Sequence, residues 1–174
     1  MMTRFFLSIL LVLSIGGCGY TTGSLLPSNY RTIAIQPFKN KIAYVEENNQ
    51  GIYVPALETT VRTAIIDRFL FDGNLHIATP DKADLILDGD LISIAQDTLR
   101  QDVNLNVQQY RIRVVVSLTL TDRATGKVIW TEPSFAGETT YFLSGAGATT
   151  QSAAIDTALT DLSTRVVERT IENW

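Results

Sequence analysis

Residues that commonly carry out chemistry are scarce in this sequence, which has one cysteine and one histidine among 174 residues. A lone cysteine cannot form an internal disulfide, and a lone histidine cannot form a zinc-binding pair. The histidine, His76, lies between two apolar residues of a short predicted strand. A structural or solvent-facing imidazole is therefore a better interpretation than a base or a metal ligand. We predict that the chain is not an enzyme.

Positive charge is also limited, with 14 basic against 18 acidic residues and a formal net charge of −4. The basic residues form no cluster, which argues against a nucleic-acid partner. The composition is nevertheless 45% hydrophobic and 18% charged. These fractions suit one globular domain with a substantial core.

The N-terminal apolar run is too short to span a bilayer. Arg4 precedes the apolar residues 5–15, and two glycines follow at positions 16 and 17. A spanning helix needs roughly 20 apolar residues, so this arrangement predicts a secretory signal over residues 1–17. Its removal leaves 13 basic against 18 acidic residues, a net charge of −5.

The only cysteine follows this run directly, and residues 15–18, Ile-Gly-Gly-Cys, resemble the bacterial lipobox. The resemblance implies cleavage before Cys18 and acylation of its thiol, with a buried structural cysteine as the alternative. In the lipobox rule an aspartate after the cysteine retains the protein at the inner membrane, so Gly19 implies the outer membrane. Three acyl chains exceed the two signals that stable anchoring needs. We expect residues 18–30 to be a lipidated tether and residues 31–174 to form a single domain.

An alternating stretch over residues 109–130 predicts the central hairpin of that domain. The apolar set is Tyr110, Ile112, Val114, Val116, Leu118 and Leu120. The residues between them are Arg111, Arg113, Val115, Ser117, Thr119 and Thr121. A period of two predicts a half-buried strand, and the Gly-containing connection at 122–126 predicts a turn into a second strand. One face needs a cover, while the other can meet water or a partner.

The remaining patterns predict further strands and two helices. Strands are expected at residues 32–36, 75–78 and 83–94, and loops at 39–51, 96–106 and 144–150. Helices are expected from 55 to 72 and from about 152 to 171. Gly89 is expected to mark a bulge, and residues 127–143 form either one bent strand or two strands interrupted at Pro133. The predicted fold is α+β, a two-layer sandwich with two helices packed on one face of a mostly antiparallel sheet of about four strands.

Two further patterns resemble ligand sites but are better interpreted otherwise. Asp84, Asp88 and Asp90 alternate on one strand, which spreads them too far to wrap a calcium ion and favours a solvated acidic face. Residues 144–147, Ser-Gly-Ala-Gly, precede a helix but lack the lysine of a phosphate loop, which favours a flexible loop. We predict no metal and no cofactor other than the covalent lipid on Cys18.

Five segments have an order and spacing that match a known family over nearly all of the mature chain. They are Cys18-Gly-Tyr, Leu26-Pro, residues 32–40, residues 118–130 and the final helix. Together they resemble the LptE-like outer-membrane lipopolysaccharide-assembly lipoprotein family. The resemblance implies a non-enzymatic protein, lipid-anchored in the outer membrane and facing the periplasm. Such a protein supports assembly of, and plugs, an LptD-like β-barrel translocon that delivers lipopolysaccharide to the cell surface.

The implied role includes contact with lipopolysaccharide, whose phosphates and carboxylates need a local cationic spot on an acidic protein. Arg123 and Lys127 flank the turn of the central hairpin and are the candidate contact. The alternative is that both are solvated turn residues. Two other roles stay open for the whole chain: an accessory or pilot lipoprotein of another envelope secretion machine, and a lipid-anchored periplasmic enzyme.

Overall fold

A computed structural model describes residues 26–42 and 52–172, and these residues form six strands and two helices. In chain order the elements are β1 (Thr32–Ile35), β2 (Lys39–Asn40), α1 (Leu57–Asp72), β3 (His76–Ile77), β4 (Leu85–Gln101), β5 (Val107–Asp122), β6 (Val128–Phe142) and α2 (Gln151–Glu172). Within this part of the chain, neither helix is long and apolar enough to cross a membrane.

The strands form one mixed sheet in the order β3-β1-β4-β5-β6, with β2 pairing β4 beyond the end of β1. β1 is parallel to β3 and β4, because α1 provides the crossover that parallel neighbours require. β4, β5 and β6 are antiparallel and contain 15 to 17 residues each. At 3.3 Å per residue each spans about 50 Å. The long strands therefore extend well past the short ones.

Both helices pack against the apolar face of the sheet. α1 buries Leu57, Val61, Ile65 and Phe69, which recur every four residues, and α2 buries ten residues along its length. The apolar set of β5 from Ile112 to Leu120 is fully buried against them, while Tyr110 is half-buried. The alternate residues of β5 are half-buried on the opposite face. The alternation in the sequence thus predicted the facing of the central strand correctly.

Glycine permits two close approaches in this core. A Cβ atom at Gly137 would collide with Leu162 and with the carbonyl oxygen of Ala158, so α2 lies directly on the backbone of β6. A Cβ atom at Gly89 would collide with the ring of Phe38. The predicted bulge at Gly89 is wrong, because the register of β4 shifts after Leu91 instead. Glycine is required at position 89 because the ring of Phe38 occupies the space that a side chain would need.

The α+β class and the two helices are confirmed, but the sheet is larger and more mixed than predicted. The expectation of about four mostly antiparallel strands missed the parallel pairing of β1 with β3 and β4, although β1 and β3 lie within the strands expected at residues 32–36 and 75–78. β2 lies at the start of a predicted loop, and the residues from 43 to 51 of that loop lie outside the described residues. β2 has only two residues, too few to show the alternation by which a strand is predicted from sequence.

Two strands also differ in length from the prediction. β4 continues to Gln101, although residues 96–106 were expected to be a polar connection, because the polar residues pair with the first half of β5. β6 is continuous through Pro133, so the alternative of one bent strand is correct. Its register with β5 shifts between the partners of Val116 and Leu118, where the proline is accommodated.

Candidate functional site

The face of β4, β5 and β6 that points away from the helices is the first candidate surface. On β5 it carries the predicted alternate side chains, all half-buried, from Arg111 to Thr121. Arg111 forms an ion pair with Asp97 on β4 (3.3 Å), and Arg113 forms one with Glu138 on β6 (3.1 Å). These cross-strand pairs neutralise the arginines. The surface, called here the open face, therefore offers polar groups and an aliphatic side chain, Val115, instead of a stripe of one charge.

The outer edge of β6 is closed to an added strand over part of its length by side chains of α2. The amide of Glu138 donates a hydrogen bond to the Asp161 carboxylate (3.0 Å). The Arg165 guanidinium donates to the carbonyl of Ala136. An added strand would need these same backbone groups. Binding through side chains of the open face is therefore favoured over strand addition at this point.

The near turn, residues 122–127, joins β5 to β6 and is bonded to the N-terminal part of the domain. The Asp122 carboxylate accepts the amides of Ala124 (2.8 Å) and Thr125 (3.0 Å) and the hydroxyl of Tyr30 (2.8 Å). These donors hold the pKa of Asp122 below its usual value, and the Thr125 amide contributes most. The same Tyr30–Asp122 bond raises the pKa of Tyr30. The near turn is consequently a fixed part of the domain.

Both predicted lipopolysaccharide contacts lie in the near turn, but their side chains differ in availability. The Arg123 guanidinium donates to the carbonyl of Ala83, and the Arg123 amide donates to the carbonyl of Asp84 (3.0 Å). Lys127 is exposed, and its backbone carbonyl accepts the amide of Asp122 (2.9 Å). Because the arginine is turned back towards the start of β4, Lys127 is the more available cation of the two.

Asp84 bonds the start of β4 to β1. One carboxylate oxygen accepts the amides of Arg31 (2.9 Å) and Thr32 (3.0 Å) and the Thr32 hydroxyl (2.8 Å). These donors hold the pKa of Asp84 below its usual value, and the Arg31 amide contributes most. The prediction of a solvated acidic face fits the exposed Asp88 but is wrong for Asp84. Among the described residues, no cluster of His, Cys, Asp and Glu side chains could hold a metal ion.

The other predicted positions do not join a common site. His76 is exposed in β3, in agreement with a solvent-facing imidazole, and its amide donates to the carbonyl of Arg31 (2.9 Å). Residues 144–147 form a loop before α2, in which Gly145 and Gly147 have left-handed backbones. Cys18, the predicted lipidation site, lies outside the described residues.

The far turn, residues 102–106, joins β4 to β5 at the opposite end of the sheet and was missed by sequence reasoning. The Asp102 carboxylate accepts the amides of Asn104 (2.8 Å) and Asn106 (2.9 Å). The Asn106 side chain contributes most to lowering the pKa of Asp102. Val103 is 97% exposed, and Leu105 is 76% exposed with a left-handed backbone (φ 65°). An aspartate followed by asparagines two and four positions later was the available signal for this turn.

The fold is shared with bacterial proteins of low sequence identity. Protein XCC0632 from Xanthomonas campestris is 13% identical, with a TM-score of 0.58 over 80% of this chain and 83% of that one. A minor lipoprotein from Acinetobacter baumannii is 10% identical, with a TM-score of 0.51 over 82% and 93%. A single-substitution variant of a PelC dodecamer from Paraburkholderia phytofirmans is 17% identical, with a TM-score of 0.50 over 88% and 95%. At these identities the likeness defines the fold class only.

The sequence identifies the family within that class. Residues 30–171, from the tyrosine that contacts the near turn to the end of α2, match the LptE family, described as lipopolysaccharide-assembly. The chain belongs to this family, and the resemblance drawn from its sequence segments is confirmed. No curated protein matches the chain at a significant level.

Proposed function

We propose that the protein is anchored in the outer membrane, faces the periplasm, and both supports assembly of and plugs an LptD-like β-barrel that delivers lipopolysaccharide. The open face is the observation that carries this proposal beyond the family's general role in lipopolysaccharide assembly. It extends along strands of about 50 Å, and its two arginines on β5 are paired with carboxylates of the neighbouring strands. The interior of an outer-membrane barrel is lined by polar side chains. A polar sheet face without a stripe of one charge is a suitable surface to meet such a wall.

The thickness of the domain limits which barrel it can enter. A helix layer packed on a sheet layer is too thick for an eight-stranded barrel, whose interior is filled by its own side chains. Lumens of useful size begin at about 16 strands, and larger barrels hold plugs. The proposed partner is therefore a large barrel. No enzymatic step is part of this proposal.

The test is affinity purification of the chain from detergent-solubilised membranes, with a pair of variants on neighbouring residues of β5. Val115→Asp places a charge on the open face, where water reaches it in the isolated domain. We expect this variant to lose the barrel while its thermal unfolding changes little. Val116→Asp buries the charge instead, because Val116 is fully buried, and should cost several kcal/mol or unfold the domain.

Two results of this purification would contradict the proposal. A wild-type yield of barrel with the Val115→Asp variant would exclude the open face as the contact. Purification of a different envelope machine, with no barrel of this kind, would favour the accessory or pilot role. Equal destabilisation by the two substitutions in the isolated domain would contradict the facing of β5.

The lipopolysaccharide contact is proposed for Lys127, with Arg123 beside it in the near turn. The double change Arg123→Glu and Lys127→Glu should weaken binding of lipopolysaccharide at low salt, because it replaces two phosphate-binding cations by anions. The matched control is Lys39→Glu with Arg100→Glu, an exposed lysine and an exposed arginine away from the near turn that give the same change in net charge. Wild-type binding by a folded Arg123→Glu, Lys127→Glu variant would rule out the near turn as the contact.

The lipid anchor is proposed for Cys18. Cys18→Ala should leave an uncut or soluble periplasmic species, because the acylated thiol is the proposed link to the membrane. Mass spectrometry of the mature wild-type protein shows whether Cys18 carries a lipid. An unmodified Cys18 in that protein would exclude the anchor.

A further inference from the structure

The last turn of α1 exposes two adjacent apolar side chains. Leu70 is 62% exposed and Phe71 is 81% exposed, although their neighbour Phe69 is fully buried. The helix ends in a left-handed Gly73, whose amide donates to the carbonyl of Phe69 (3.0 Å). The Arg68 guanidinium lies 5.2 Å from the centre of the Phe71 ring. A well-capped helix end thus presents an aromatic ring and an aliphatic side chain to the solvent.

This helix end lies where the N-terminal segment enters the domain. α1 leads through its cap into β3, whose first residue, His76, pairs with Thr32 at the start of β1. Cys18 precedes Leu26, the first described residue, by eight positions. A fully extended chain of that length spans at most about 29 Å. A bilayer that holds an acylated Cys18 is therefore close to this end of the domain, whereas the far turn is about 50 Å away along β5.

Resting on the proposed acylation of Cys18, we propose that Leu70 and Phe71 insert into the interface of the bilayer that holds the anchor. Aromatic rings favour the membrane–water interface, and an arginine can lay its stem along apolar surface while its charge stays among the headgroups. Asp67 and Asp72 flank this segment and together outweigh the charge of Arg68, so attraction to anionic headgroups does not contribute. The contact is driven by burial of apolar area and hardly depends on salt. It fixes how the domain stands on the membrane.

The single cysteine of the chain makes a direct test practical. With Cys18 acylated, Phe71→Cys introduces the only free thiol of the full chain, and a nitroxide label is attached there. The chain is purified from membranes and reconstituted in vesicles of phosphatidylethanolamine and phosphatidylglycerol. Collisions of the nitroxide with oxygen, which concentrates in the bilayer, are compared with collisions with a water-soluble nickel chelate. Matched labels are placed by Thr59→Cys, exposed at the start of the same helix, and by Val103→Cys in the far turn.

We expect the oxygen-to-nickel ratio at residue 71 to be severalfold higher than at residues 59 and 103, at both low and high salt. A ratio equal to that at residue 59 would place residue 71 in water and overturn the inference. Low access to both reagents would show that protein, such as the N-terminal segment, covers residue 71, and would also overturn it. Labelling of the wild-type chain would show a free Cys18 and contradict the anchor separately. In that case the signal of the labelled wild-type chain is subtracted from that of the labelled Phe71→Cys chain before the ratio at residue 71 is calculated.

Discussion

The two turns at the ends of β5 are built by the same local chemistry but have different surroundings. In each, the first residue is an aspartate whose carboxylate accepts two backbone amides of its own turn. Hydrogen bonds donated by turn residues lower the pKa of both aspartates. Asp122 in the near turn also bonds to Tyr30, 92 residues away in sequence. Asp102 in the far turn bonds to Asn106 and Gln108 of its own hairpin. One turn joins separate parts of the domain, and the other holds its own shape.

The backbone of the two turns points to the same difference. The near turn places a glycine, Gly126, at its left-handed position (φ 69°), whereas the far turn places Leu105 there (φ 65°). A left-handed backbone costs a residue with a side chain about 1–2 kcal/mol. The near turn avoids this cost, whereas the far turn carries it at a residue whose side chain is exposed.

The largest effect is expected from separating the start of β4 from β1, at the same end of the sheet as the near turn. Asp84→Ala removes three hydrogen bonds that Arg31 and Thr32 donate to one carboxylate, and should lower the free energy of unfolding by about 2 kcal/mol. Urea denaturation measures the change. Asp102→Ala is the matched control in the far turn and should cost less, because its bonds are local. A greater loss at Asp102 would reverse the comparison.

Glycine at the left-handed position of the near turn gives the next effect. Gly126→Ala should lower the free energy of unfolding by about 1 kcal/mol, since a Cβ atom there would meet nothing within 4 Å and the cost is conformational. Gly145→Ala, in the loop before α2, meets the same two conditions (φ 83°) and should cost a similar amount. Thermal unfolding of both variants checks this. An unchanged melting temperature for Gly126→Ala would mean that the near turn relaxes.

A smaller effect of opposite sign is expected in the far turn. Leu105→Gly should raise the free energy of unfolding by about 0.5 kcal/mol, because relief of the left-handed strain exceeds the added backbone entropy of glycine. Val103→Gly lacks the strain and should be slightly destabilising. Denaturant unfolding of the two variants separates them. Destabilisation by Leu105→Gly would show that the leucine contributes to the fold and is not only displayed.

The smallest effect concerns pH. The pKa of Asp84 is held below its usual value of 3.8 in the folded chain, so ionised Asp84 stabilises the fold. That stabilisation is complete above the unfolded pKa and is lost as the pH falls through the folded pKa. The stability difference between wild type and Asp84→Asn should therefore be constant near neutral pH and shrink below about pH 4. A difference that grows in acid would contradict the assigned direction.

Sequence reasoning succeeded where a residue's surroundings follow from its neighbours in the chain. The strict alternation from Tyr110 to Thr121 predicted the facing of β5, and apolar residues spaced three or four apart predicted α1 and α2, because both periods reflect one buried side. It failed where distant pairing decides the structure. Residues 96–101 are polar except for Leu99, yet they continue β4 because β5 pairs with them.

The candidate site shows the same limit. Arg123 and Lys127 look alike in the sequence because both flank a turn. Nothing near Arg123 in the chain indicates that its guanidinium contacts the carbonyl of Ala83, 40 positions earlier. The far turn was included in a polar connection, although Val103 and Leu105 stand out within it. Local composition predicts that a segment is a turn. Whether other parts of the domain hold the turn in place depends on residues that contact it only after folding.

The contacts from α2 to Ala136 and Glu138 have a consequence for fidelity during assembly. An uncapped strand edge accepts almost any extended segment, since it recognises backbone groups that all sequences share. In the proposed function, the protein works beside a barrel whose strands are unpaired until it is complete. With these edge groups engaged by Asp161 and Arg165, this part of the β6 edge cannot accept such a strand. Recognition at this point is then left to side chains, which differ between sequences.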